Sequence, residues 1–422
     1  MLRQAQHERG IGTEDGRPLL LCDLTQSWSP SGGGGVSTYL REKRDWVLAH
    51  TPHRLLQIVP GPADRVTVDG RHIWAEVAAD PVRGSPNYRF ILRMGAVRRL
   101  LAEHRPDLIE SLCPWVLPWA AIHHRRRFPH TALVAGYRTD FPTAHVLRVG
   151  TERFGRVIGR GFHRLALGYA EITYREFDQI YVLGEAARDT LAAMRITRTS
   201  VLPLGVDLRT FSPVRRDPAF RAELGLPGTG PLLVYAGRID NEKRADRLVA
   251  MFRLLPPDLD AAMVMIGDGK LRARLEEQVR RLPIAFPGFE ADRAGVARAL
   301  ASADLYVSAM ADETFGVSVL EAQACGLPVV GVAAGAMPAR VPPELGRLGP
   351  VDNVVAMAAN VEALWAGDPR AIGRAARAHV ERHFSWDRTF RRLFEKVYPP
   401  ALARARVRVD RREITEAAGP PC

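Results

Sequence analysis

Hydrophobic and polar positions along the chain fall into two alternating series. In the first, Pro18–Asp23 (PLLLCD), His53–Pro60 (HRLLQIVP), Asp107–Glu110, Thr131–Gly136 (TALVAG), Gln179–Leu183 (QIYVL) and Thr199–Leu202 read as buried strands. Val66–Val77 holds an Asp69–Gly70 turn between β-branched residues, the pattern of a hairpin. Helical spacing fills the intervals, from about Val36 to His50 and over Tyr88–His104, which stops before Pro106. A second series begins at Pro231 (PLLVYAG) and continues through Ala261–Ile266, Ile284–Phe286, Asp304–Ser308 and Pro328–Val332. Two further helical segments run from about Asn353 to Tyr398. Short apolar strands alternating with helices predict α/β domains whose parallel sheets are covered on both faces.

The break between the two series sets the domain plan. Pro203–Gly230 is rich in Pro, Gly and charge, so residues 206–230 are expected to form a linker. That leaves a flexible N-terminus over 1–17, one doubly wound domain over 18–205 and a second over 231–380. The segment 381–400 is expected to be a closing helix, and 401–422 (ALARARVRVDRREITEAAGPPC), lacking an evident apolar face, a loose tail.

Composition narrows the class. The chain has 422 residues, 46% hydrophobic and 25% charged, which excludes wholesale disorder. No apolar run approaches the roughly 18–20 residues needed to span a bilayer, and the N-terminus lacks an apolar h-region. Cys22, Cys113, Cys325 and Cys422 are scattered, with neither zinc spacing nor a disulfide framework. A soluble, cytoplasmic protein is expected. The net charge is +12, and residues 1–200 hold 28 Lys+Arg against 20 Asp+Glu, compared with 31 against 27 over 201–422. The concentration of positive charge in the first half predicts an anionic partner there. Only Lys43, Lys243, Lys270 and Lys396 are lysines, so a lysine inside a motif stands out.

Candidate chemistry collects in the second half. Strand Pro231–Ala236 runs into Gly237–Arg238, and Glu242–Lys243 follow at the next helix. Ligands of open parallel sheets bind beyond the carboxyl ends of the strands, where glycine admits a close approach and helix N-termini favour anions. Arg238 and Lys243, a planar fork and a point charge, suit a diphosphate, or else are solvated helix-start charges. Ala311–Pro328 (ADETFGVSVLEAQACGLP) places Glu313 in a loop before a helix over Val317–Ala324, with Glu321 about one turn inside it. Two carboxylates so spaced can bracket an elongated ligand and accept its hydroxyls, with amides after Gly316 meeting phosphate.

The segments GRIDNEK, IGDGKLRARLE, ASADLYVSAM and DETFGVSVLEAQACGLPVVG resemble the C-terminal domain of the family-4-type retaining glycosyltransferases, glycosyl transferases group 1. LPLGVDLRTFSP and HVERHFSWDRTFRRLFEKVY resemble that family's lead-in and its closing helices, and the likeness runs from about residue 18 to 398. The resemblance implies a GT-B fold, two Rossmann-like domains facing a cleft, with the C-terminal helices returning to the first domain. It implies that Arg238 and Lys243 bind the donor diphosphate and stabilise the leaving group, that Glu313 contacts the transferred sugar, and that Glu321 holds the ribose. Gly237, Phe315, Gly316 and Val317 would present the surrounding backbone. Gly267 and Asp268 match a turn near the nucleotide, although Asp268 also suits a simple helix cap.

In the first domain, SGGGGV (Ser31–Val36) follows the first strand as the family's glycine-rich loop does, so Gly34 and Gly35 are expected near donor phosphates or acceptor. AGYRTDFPTAH (Ala135–His145) resembles the family's Y-H-T-D-F-P loop, with Arg138 where many relatives have histidine. Arginine keeps its proton at neutral pH and does not serve as an acid–base group there. Arg138 can instead bind an anionic group with Asp140 orienting it, or the two form a local ion pair. The histidines of His123–His130 (HHRRRFPH) have no metal spacing, and a solvated basic patch is expected. With Arg148, Arg153, Arg156, Arg160 and Arg164, it suits anionic lipid headgroups equally well.

The expected activity is therefore retaining transfer of a hexose from a GDP-mannose- or UDP-glucose-type donor, with a leaning towards mannose, to an unidentified acceptor, lipid-linked or a cell-envelope glycan. The resemblance implies no metal or other cofactor. An anionic membrane surface, met through the basic first domain at the inner face of the membrane, is the second expected partner. Nucleic acid is not expected, since no recognition module is present. Two alternatives stay open: a non-catalytic nucleotide-sugar-binding scaffold, and a phosphorylase or epimerase of the same architecture.

Overall fold

The computed structural model describes residues 16–26, 28, 35–82 and 85–417. It divides into two compact units, Met1–Pro203 with Thr389–Cys422, and Leu204–Arg388.

The first unit is built on strands β1 (Leu20–Leu24), β2 (Arg54–Gly61), β3 (Arg65–Asp69), β4 (His72–Ala78), a small hairpin β5–β6 (Pro81–Val82 and Ser85–Arg89), β7 (Leu108–Ser111), β8 (Ala132–Tyr137), β9 (Gln179–Val182) and β10 (Thr199–Val201). Eight of them form one sheet, in the order β10-β9-β8-β7-β1-β2-β4-β3. All its pairs are parallel except the edge pair β3–β4, which turns at Gly70 with φ of 55° as the Asp69–Gly70 signal anticipates. The central strands are mostly apolar because helices cover both faces, and Leu21, Cys22, Leu56, Ile109, Leu133 and Ile180 are fully buried.

The second unit carries β11 (Leu232–Ala236), β12 (Ala262–Ile266), β13 (Ile284–Gly288), β14 (Leu305–Val307), β15 (Val329–Val332) and β16 (Gly346–Gly349). They form an all-parallel sheet in the order β13-β12-β11-β14-β15-β16. Leu233, Met263, Leu305 and Val330 lie at its centre without solvent exposure.

Two expectations need correction. Residues 206–230 are no bare linker: Val206, Phe211 and Phe220 are buried, Arg216 donates to the Ala303 carbonyl at 2.8 Å, and Arg298 grips Asp217 at 2.8 Å. The segment packs as part of the second unit. Nor is the tail loose where it is described, since Tyr398–Ala417 is a helix. Tyr398, Ala401 and Ala405 bury one face of it, and Arg408 holds Asp178 at 2.6 Å. The apolar stripe is narrow and arginine-rich on either side, which hides it in the sequence.

Candidate active site

Each sheet has one place where the chain reverses its direction of strand addition. In the second unit β12 and β13 are added on one side of β11, and β14 on the other, so the loops after β11 and β14 flank the switch point where open parallel sheets bind ligands. The residues singled out in sequence lie on these loops. Gly237 and Arg238 follow β11, Lys243 stands in the turn before helix Ala245–Phe252, and Glu313 lies between β14 and helix Val317–Ala324.

These loops are brought together by specific contacts. Lys243 Nζ lies 3.5 Å from Glu313 Oε2 and 2.8 Å from Met310 Sδ. The other Glu313 oxygen accepts the Gly316 amide at 2.9 Å. Gly316, with φ of 84° in the left-handed region, starts the helix whose first residue is Val317. Arg238 is gripped by Asp240 and by Glu242 at 2.8 Å, while the Tyr235 hydroxyl donates to its carbonyl at 2.7 Å. Two cations, each paired with carboxylates, thus share the edge of one sheet, with Lys243 and Glu313 only 24% and 13% exposed, so solvent screens that pair in part.

Gly267 and Gly269 let the loop after β12 lie backbone-to-backbone on the loop after β11. A Cβ on Gly267 would stand 1.9 Å from the Gly237 carbonyl oxygen, and one on Gly269 2.3 Å from that of Ile239. Between them Asp268 is exposed and accepts the Gly269 amide at 2.8 Å. It caps no helix: Arg272–Gln278 begins later, from Leu271, with no side-chain cap. Glu321 is buried and bound by Arg293 at 2.6 Å, and burial raises its pKa against the lowering effect of that guanidinium. Its recorded partner is thus Arg293, on another helix, whereas Glu313 faces Lys243.

Arg340 is a site residue the sequence reading missed. It is buried, donates from Nε to the Phe315 carbonyl at 2.8 Å, and its guanidinium stacks 4.2 Å from the Phe315 ring and 4.9 Å from that of Phe384. Burial pushes its pKa down to about 10, with Glu313 the one group opposing the shift. It braces the Phe315–Gly316 loop from behind.

In the first unit the reversal falls between β1 and β7. Gly34 and the rest of Ser31–Gly34 lie outside the described residues; Gly35 opens helix Gly35–His50. The structure brings Arg138 to Gly35: Nη2 donates to the Gly35 carbonyl at 3.2 Å and the guanidinium lies 4.6 Å from the Tyr39 ring. Arg138 Nη1 is buried without a hydrogen-bond partner among the described residues. Asp140 instead accepts the Tyr137 hydroxyl at 2.8 Å, so the local Arg138–Asp140 ion pair is not formed.

Directly beneath this edge is a buried charge cluster that sequence reading also missed. Parallel pairing sets Asp23 of β1 opposite Glu110 of β7, two like charges side by side. Lys43, from helix Gly35–His50, bridges both, bonding Asp23 and reaching Glu110 at 2.7 Å. Glu110 also accepts the hydroxyls of Tyr39 at 2.8 Å, Tyr181 at 2.9 Å and Tyr398, while Gln57 donates to Asp23 at 2.9 Å. Burial raises the Asp23 pKa to about 6 against the pull of Lys43. For Glu110 the ammonium and the hydroxyls outweigh burial, and its pKa falls below the ordinary carboxylate value. Through the Tyr39 ring the cluster supports Arg138.

The basic stretch His123–His130 divides. His124 is buried, its pKa pushed down to about 4 by burial, and Arg125 is committed to Glu176 at 2.5 Å, whereas Arg126 and Arg127 are exposed. Among the described residues no cluster of His, Cys, Asp and Glu has the arrangement of a metal site.

Comparison with known proteins bears on this geometry. Residues 230–367 match the family model for glycosyl transferases group 1, and 26–210 that for glycosyltransferase family 4. The chain is 33% identical over 353 residues to a GDP-mannose-dependent alpha-(1-6)-phosphatidylinositol dimannoside mannosyltransferase of Mycobacterium tuberculosis, across 80% of this chain and 85% of that one. It is 30% identical over 373 residues to a GDP-mannose-dependent alpha-mannosyltransferase of Mycolicibacterium smegmatis, across 85% and 91%. Its fold matches that of a sucrose-phosphate synthase from Thermosynechococcus elongatus with a TM-score of 0.70 at 21% identity, covering 95% of this chain and all of the other.

Proposed function

The chain belongs to the group 1, family-4 glycosyltransferases of GT-B fold, retaining hexosyltransferases, and from that membership we propose that it moves mannose from GDP-mannose to the glycan head of a membrane lipid. The observation that carries the donor assignment is the meeting of Lys243 and Glu313 at the carboxyl edge of the second sheet, with Arg238 on the same edge. On this reading Arg238 and Lys243 take the diphosphate, whose charge grows as the sugar–phosphate bond breaks, so their attraction is strongest where catalysis needs it. Glu313, held by the Gly316 amide on one oxygen, turns its remaining lone pairs to the sugar hydroxyls. Glu321 with Arg293 is proposed to bind the ribose, Gly237, Gly267 and Asp268 to line the nucleotide, and Val317 to offer its amide to phosphate.

Gly34 and Gly35 are proposed to meet the donor phosphates or the acceptor, with Arg138 holding an anionic group and Asp140 shaping its loop. A permanently charged guanidinium positions rather than shuttles protons, and the departing phosphate is then the base for the acceptor hydroxyl. We propose that the reaction needs no metal, because the two cations can meet the charge of the leaving group.

No described helix is long and apolar enough to cross a membrane. A peripheral place on the inner face is our inference, supported by the surplus of basic residues in the first half of the chain. The donor names in the two mannosyltransferases favour GDP-mannose over UDP-glucose. The test is to incubate the full chain with GDP-mannose or UDP-glucose, EDTA, and short-chain mannosylated phosphoinositides, and to read GDP release and product anomer by NMR. The reading expects α-mannosyl product from GDP-mannose alone and undiminished by EDTA; turnover of UDP-glucose only, or dependence on added metal, contradicts it.

A further inference from the structure

One helix of the first unit turns a set of its apolar residues away from the core. Pro142–Leu147 and the helix Arg148–Arg175 form a hairpin, because the helix breaks at Gly155, where φ is 83°. The arms lie close: a Cβ on Gly159 would stand 2.7 Å from the Thr151 amide nitrogen, and the rings of Phe154 and Phe162 meet edge-on at 5.9 Å. Thr143 and His163 join the arms again at 3.3 Å. The later turns anchor the hairpin, where Ala170, Thr173 and Tyr174 are buried.

Around and beyond the tip, a surface helix should expose polar residues and bury apolar ones. Here Val157 is 85% exposed and Leu165 72%, and Phe154, Ile158, Phe162 and Ile172 are exposed with them. At 3.6 residues per turn, 157, 165 and 172 form one stripe with 158 and 162 beside it, across the helix from the buried positions 159 and 170. Arg156, Arg160 and Arg164 flank this stripe at one-turn intervals, all exposed. Between Glu152 and Glu171 the sequence has four arginines and no acidic residue.

We propose that this hairpin docks on an anionic bilayer surface, with Phe154, Val157, Ile158, Phe162 and Leu165 entering the headgroup–acyl boundary and Arg153, Arg156, Arg160 and Arg164 meeting lipid phosphates. An apolar stripe beside a row of cations is the composition of an interfacial helix. Charge also selects the occupant: a symmetric contact between two copies would face this acid-free arginine row with itself, which repels, whereas anionic lipid complements it. The inference rests on the membrane-surface reading given above and names the element that makes the contact.

The test is co-sedimentation of the full chain with vesicles of phosphatidylcholine alone or with 30% (on the order of physiological anionic content) phosphatidylglycerol. The wild type is expected to bind the anionic vesicles, and binding should weaken with salt. At about 1 kcal/mol per arginine, Arg156→Gln/Arg160→Gln/Arg164→Gln should lose on the order of a hundredfold in affinity. Val157→Asp/Leu165→Asp should lose at least ~tenfold through the apolar contact. Because all five positions are exposed, circular dichroism and melting should match the wild type. Failure of the wild type to bind, binding unchanged in both variants, or dimers in the wild type that the variants dissolve would overturn the proposal. GDP release from GDP-mannose with the short-chain mannosylated phosphoinositide acceptors in vesicle-free buffer, expected to be equal in wild type and variants, separates the readings. Its absence in the wild type condemns the donor reading and leaves the vesicle result to judge the hairpin.

Discussion

Replacing Lys43 by methionine keeps its volume and stem but leaves two buried carboxylates on neighbouring strands without their cation. Lys43, Asp23 and Glu110 have no exposed side-chain surface. Glu110 retains three tyrosine hydroxyls and can stay ionised, whereas Asp23 retains Gln57. Removing one partner of a buried ion pair costs about 3–5 kcal/mol. Even with Lys43 present the Asp23 pKa is about 6, so without it Asp23 is protonated at pH 7. Each further pH unit of forced protonation adds about 1.4 kcal/mol. We therefore expect Lys43→Met to destabilise the first unit by about 4 kcal/mol at pH 7 and about 1 kcal/mol less at pH 5. Urea unfolding followed by tryptophan fluorescence at both pH values measures this. Adding Glu110→Gln should recover part of the loss, giving a coupling of about 2 kcal/mol in the cycle. A loss under about 1 kcal/mol for Lys43→Met, or strict additivity with Glu110→Gln, would refute the assignment of Lys43 as the charge that reconciles the two strands.

Asp23 also sets a pH dependence of opposite sign to that of an ordinary salt-bridged aspartate. Its folded pKa is raised, so the native state binds the proton more tightly and stability falls as pH climbs from about 4 to about 6. The gap from the ordinary 3.8 corresponds to about 3 kcal/mol, by which Asp23→Asn should gain on the wild type across that window. Glu110, with a lowered pKa, contributes stability above its ordinary value that is lost on further acidification, so Glu110→Gln should flatten the acid limb instead. Gly267→Ala puts a Cβ 1.9 Å from a backbone oxygen at φ of 138°, and should cost at least ~3 kcal/mol in the second unit and abolish donor binding, read by calorimetry. Arg340→Met removes the donor behind Phe315, and should lower kcat for GDP-mannose ~tenfold or more with a melting shift of only a few degrees.

The apolar runs disclosed the strands because each is buried on both faces, and β11, β12, β14 and β15 appear within two residues of the expected limits. Lys243, Glu313 and Gly316 were legible because they follow strands within one stretch of chain. The cluster under the first sheet was not, since Glu110 lies 67 residues from Lys43 and 288 from Tyr398, and only the β1–β7 register puts Asp23 beside it. Scarcity of lysine marked Lys43 as well as Lys243, but nothing local distinguished it. Arg340 was invisible for a related reason: its role is to a carbonyl and two rings, which no spacing encodes. The tail misled because Arg404 and Arg408 look like solvated charge, yet they reach the Asp178–Gln179 segment and carry their helix onto the sheet.

The central claim is that the second unit holds the donor diphosphate through Lys243 and Arg238. Calorimetric titration of GDP into the full chain and into Lys243→Met and Arg238→Gln tests it most directly, because it needs neither acceptor nor turnover. Loss of one charge-assisted contact to the diphosphate should weaken GDP ~10–100-fold in each variant, with guanosine binding unchanged. Equal GDP affinity in wild type and both variants would contradict the account.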